Sequence, residues 1–64
     1  MIYKFECNEL EDSFMEVELR DDLSSEYVQF TIEYPKDIPL CILLSKKDVY
    51  HLIGALHLLH KEMK

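Results

Sequence analysis

Leu40-Cys41-Ile42-Leu43-Leu44-Ser45-Lys46-Lys47-Asp48 is the stretch on which the fold of this 64-residue chain turns. Its first five residues make an apolar run of strand length. Ser45 is placed to cap a helix, since its hydroxyl can accept from the amide of Lys47 or Asp48, and Asp48 completes a pattern resembling a capping box. A half-buried strand alternates apolar and polar side chains, whereas this run sends apolar groups to both faces. So short a chain has little sequence to cover both. The run therefore predicts a partner surface, most simply a second copy of the same chain.

Downstream of Ser45, at about 100° per residue, Val49, Leu52, Ile53, Leu56, Leu59, His60 and Met63 fall on one stripe of a helix. This stripe is the expected contact for the inward face of a sheet. Upstream, three runs alternate. Tyr3, Phe5 and Cys7 share one side of residues 2–7. Met15, Val17 and Leu19 point inward from residues 14–20, with Glu16, Glu18 and Arg20 outward. Val28, Phe30, Ile32 and Tyr34 form the inward set of the third run, with Tyr27, Gln29, Thr31 and Glu33 outward. Residues 8–12 and 21–25 read as turns, and Pro35 and Pro39 bracket the connection to residues 40–44, where a ladder can spare a donor. The expectation is an α+β fold: an antiparallel four-stranded sheet, with three strands as the alternative, and one C-terminal helix packed on one face. Residues 1–64 make a single domain.

Two surfaces are left over. His51, Gly54, Ala55 and Leu58 recur opposite the main helix stripe, and two of them are small enough to let another backbone approach. On the sheet, Phe14, Tyr27, Cys41 and Leu43 are expected on the outer face, where together they would form an exposed apolar patch of the kind that marks an interface. Both sets are candidate dimer contacts, because one helix cannot cover two faces of a sheet.

The formal charge of −6 is uneven. Residues 1–33 carry ten acids and two bases, net −8, and residues 34–64 carry three acids and five bases, net +2. Direct binding of nucleic acid is not expected, since phosphates require clustered Lys and Arg. The converse is a partner with a basic surface: Glu16 and Glu18, two apart on one strand, with Glu33 on the next, form an acidic face that can imitate a nucleic-acid backbone. No run approaches a membrane span, and no secretory signal pattern opens the chain. A cytoplasmic protein with two reduced thiols, Cys7 and Cys41, is the expectation.

Chemistry finds little purchase. One glycine allows no phosphate loop, and no zinc-binding, metalloprotease or serine-hydrolase motif occurs. His57 and His60 are helix neighbours, yet a metal would need further ligands. Both cysteines are expected in apolar surroundings that raise a thiol pKa. The reading is a small acidic, non-enzymatic, homodimeric protein-interaction module with no cofactor. Two alternatives stand beside it: an acidic inhibitor of the phage or mobile-element kind that occupies a basic site on another protein, and a small-ligand binder with its pocket at the dimer interface.

Overall fold

The computed structural model describes residues 1–22 and 26–64. Strands β1 (Ile2–Glu6), β2 (Phe14–Arg20), β3 (Tyr27–Glu33) and β4 (Leu40–Leu44) form one antiparallel sheet in the order β1-β2-β3-β4, followed by helix α1 (Lys46–Glu62). This is the ββββα architecture expected from the alternating runs and the Ser45 cap. The turn expected over residues 21–25 lies partly outside the described residues, because Leu23, Ser24 and Ser25 do.

The register explains why the meander holds together. Opposed residues share a face, and the inner face is made of three unbroken apolar rows: Tyr3–Val17–Phe30–Ile42, Phe5–Met15–Ile32–Leu40 and Leu19–Val28–Leu44. Cross-strand aromatic and β-branched pairs of this kind are the unit of sheet stabilisation. The connection from β1 to β2 is closed by the Cys7 amide, which donates to the Ser13 carbonyl at 2.9 Å. Asp12 completes that turn at φ 60°, a conformation that aspartate tolerates better than most side chains. Past β2, the Arg20 Nε and Nη2 groups donate to the two Asp22 carboxylate oxygens at 2.8 and 2.7 Å. Those bonds, with a further one from its own amide, hold the Asp22 carboxyl down from 3.8 to about 2. The depressed value favours the folded state above the ordinary carboxylate range, and that contribution is lost as the pH falls toward 2. Asp22 is exposed and Arg20 only half-buried, so solvent screens the pair and the effect is small.

The cap at Ser45 forms as the sequence implies. The Asp48 amide donates to Ser45 Oγ at 3.4 Å, and Ser45 Oγ donates to the Asp48 carboxylate at 3.2 Å. At the other end the Met63 amide donates to the carbonyls of Leu59 and His60, and His60 and Lys61 in the last turn suit the negative end of the helix dipole.

The helix does not, however, cover the sheet as the stripe predicts. Only Val49 and Leu52 are half-buried, and every other residue of α1 is exposed. The helix approaches β3 and β4 alone, and none of its Cα atoms comes within 8 Å of one in β1 or β2. The reason is local. β4 ends at Leu44 and α1 begins at Lys46, so Ser45 is the whole connection. Laying a helix back over its own sheet means raising the chain by about 10 Å, the spacing of packed layers, and the two steps from Leu44 through Ser45 to Lys46 span at most about 7 Å. Strand-to-helix connections in layered folds therefore usually take two or more residues. The radius of gyration follows suit: it is 13.4 Å, against about 10.7 Å for a compact domain of this length.

Candidate functional site

A face that should be a core lies open. No hydrophobic side chain among the described residues is buried. On the inner sheet face Phe5 is 55% and Ile42 57% exposed, and on the helix stripe Leu56 is 54% and Leu59 61% exposed. The chain has 5996 Å² of accessible surface, where a folded monomer of 7.7 kDa is expected to have about 4,300 Å². The difference is about 1,700 Å² per chain, or about 3,400 Å² for two chains, inside the range of obligate homodimer interfaces. The excess lies in contiguous rows on one sheet face and one helix stripe, not in scattered surface leucines.

Where α1 leaves the sheet, Leu19, Val28, Leu44 and Val49 line an open cleft of about 720 Å³ whose rim carries Glu26, Tyr27 and Lys46. The cleft belongs to the same inner face. Its walls are the last apolar row of the sheet and the first turn of the helix, so a side chain from outside can enter between them.

The outer face is different. Phe14 lies opposite Glu33 at one end of the β2–β3 ladder and Tyr27 opposite Arg20 at the other, so about 20 Å of strand separates them at the usual rise per residue. Cys41 and Leu43 sit on the edge strand opposite Thr31 and Gln29. Between these positions runs a polar chain: Arg20 Nη1 donates to Gln29 Oε1, and Gln29 Nε2 donates to Thr31 Oγ1 at 3.0 Å. The structure thus does not gather Phe14, Tyr27, Cys41 and Leu43 into one patch. Phe14, the one apolar break in the outward pattern of β2, is covered by the Lys4 ammonium 4.2 Å from its ring centroid, a cation–π contact.

Glu16, Glu18 and Glu33 do share the outer face, and Glu6 joins them beside Phe14. The alternation of β1 already placed Glu6 outward. The two cations on this face are engaged, Lys4 over Phe14 and Arg20 by Asp22, which leaves the carboxylates as its dominant charge.

On the helix, His51, Gly54, Ala55 and Leu58 are all exposed. A Cβ built on Gly54 meets nothing within 4 Å. Gly54→Ala is therefore expected to raise stability by about 1 kcal/mol, because alanine is the better helix former. Denaturant titration reads that gain. A loss of stability with a fall in solution mass would instead place a close helix-to-helix approach at Gly54.

Cys7 departs from expectation. It lies beyond the end of β1 and is exposed, not turned into apolar surroundings. The amides of Leu10 and Glu9 donate to its sulfur at 3.3 and 3.4 Å, and these bonds lower the thiol pKa rather than raise it. Cys41 is exposed as well. At neutral pH Cys7 is expected to react with maleimide ahead of Cys41, a difference that peptide mapping by mass spectrometry resolves and that equal labelling would refute. His57 and His60 are exposed, and among the described residues no group of three or more His, Cys, Asp or Glu side chains is placed to hold a metal ion. No helix is long and apolar enough among the described residues to cross a membrane.

No protein-family model, no curated protein and no solved structure matches this chain, so the reading of its function rests on its own geometry.

Proposed function

We propose that the chain is a non-enzymatic protein-interaction module that works as a homodimer, joined through the inner sheet face and the α1 stripe. The observation that carries this reading is the three-row apolar face left uncovered in a chain with 5996 Å² of accessible surface. Light scattering behind a sizing column, at two concentrations and two salt levels, tests it. The expected mass is twice 7.7 kDa at both salt levels, because apolar contacts are not screened. A mass of one chain throughout overturns the reading.

The carboxylates favour a second reading that is compatible with the first. With the inner faces joined, Glu6, Glu16, Glu18 and Glu33 look outward from both protomers, and this is the surface on which a protein with a basic groove would dock. The acidic-inhibitor alternative lives here. A complex of this kind weakens steeply as ionic strength rises, while the homodimer does not. Glu16→Gln with Glu18→Gln should abolish capture of such a partner and leave the solution mass unchanged.

A further inference from the structure

We propose that the dimer is assembled by helix exchange, with α1 of each protomer lying across the β1–β2 half of its partner's sheet. The inference rests on the homodimer reading and specifies its geometry.

Three observations converge on it. The sheet lacks a cover on the half that its own helix does not approach, where Tyr3 and Phe5 stand exposed. The helix lacks a base along the part that has left the sheet, where Ile53, Leu56 and Leu59 stand exposed. The connection that would let one satisfy the other within a chain is a single residue, Ser45, held by its cap bonds to Asp48. A short connection between two elements that want to pack is the usual origin of exchanged dimers. The dimensions match. From Ile53 to Glu62 the helix is about 15 Å long, and the five residues of β1 cover about 16 Å. A two-fold axis makes the two contacts equivalent, and both apolar surfaces close without exposing a new one.

The deciding experiment lengthens the connection. A flexible Gly/Ser insert of about six residues between Leu44 and Ser45 has a root-mean-square span of about 13 Å, enough for α1 to return over its own sheet. Tethering then gives the intramolecular contact an effective concentration in the millimolar range. The expected result is a mass that falls from two chains to one at the concentrations where the unmodified chain is dimeric, with the helical circular dichroism kept. An insertion variant that stays dimeric overturns helix exchange and leaves the homodimer itself standing. A monomeric unmodified chain overturns the homodimer reading instead, so the two failures are distinct. Should the insertion variant not fold, isotope-filtered NOEs in a mixed dimer of labelled and unlabelled chains decide. Contacts from labelled Leu56 and Leu59 methyls to unlabelled Tyr3 and Phe5 rings support exchange, and their absence refutes it.

Discussion

Leu56→Glu is expected to turn the proposed dimer into a monomer. Leu56 lies in the middle of the exposed helix stripe and is 54% exposed in its own chain. In a symmetric dimer it is buried twice. Each fully buried leucine is worth about 1.5–3 kcal/mol, so removing the pair weakens association by about 3–6 kcal/mol, or about 10² to 10⁴ in Kd. A carboxylate left without a partner in an apolar contact adds to that loss. Glutamate is nearly as good a helix former as leucine, so the helical circular dichroism per chain remains where the protein stays folded. Light scattering reads the mass, and a dimer undisturbed by the substitution would remove the helix stripe from the interface.

Leu43→Glu is the matching control. Leu43 faces outward from β4 beside Gln29, and the charge stays in solvent. The mass is expected to remain that of two chains. A dimer split by Leu43→Glu but not by Leu56→Glu would move the interface to the outer face, where the apolar content of the 40–44 run alone had placed it.

The contrast between these two leucines shows what was legible in the sequence. Alternation identified β1, β2 and β3, because a half-buried strand demands period two, and β4 was legible as an apolar run of strand length. Ser45 and Asp48 located the start of the helix, because the cap is a local property of adjacent residues. What failed was the extension from elements to packing. Leu44 and Ser45 already sat side by side in the sequence, the end of one element and the cap of the next, and so the connection was already too short for the helix to return. The stripe from Val49 to Met63 names an apolar face, of which the chain itself half-buries only Val49 and Leu52, because periodicity is silent on what the face packs against.

Cys7 departs from the alternation of β1 for a related reason. Extending the alternation of β1 by one residue turns the thiol inward, yet the strand stops at Glu6 and the chain turns at Cys7. The amides of the turn then find the sulfur. The outer-face set of Phe14, Tyr27, Cys41 and Leu43 required strand register, a long-range property. With the register known, a polar chain through Arg20, Gln29 and Thr31 lies among them.

Thermal unfolding of this protein is expected to depend strongly on its concentration. The described part of a single chain contains no buried hydrophobic residue, and without a core the entropy of ordering the backbone is not offset. Folding and dimerisation are then one equilibrium, in which two unfolded chains become one folded pair. A roughly hundredfold rise in concentration stabilises the dimer by about 2.7 kcal/mol. Two chains of 64 residues unfold with an entropy of about 0.27 kcal/mol/K. The quotient is a rise in Tm of about 10 °C, large enough for calorimetry or circular dichroism to read directly. A Tm that does not move over that range would mean that the inner face is closed within one chain, which requires α1 to fold back across a connection of one residue. The measurement therefore tests, in the unmodified protein, the step from the Leu44–Ser45 junction to the oligomeric state.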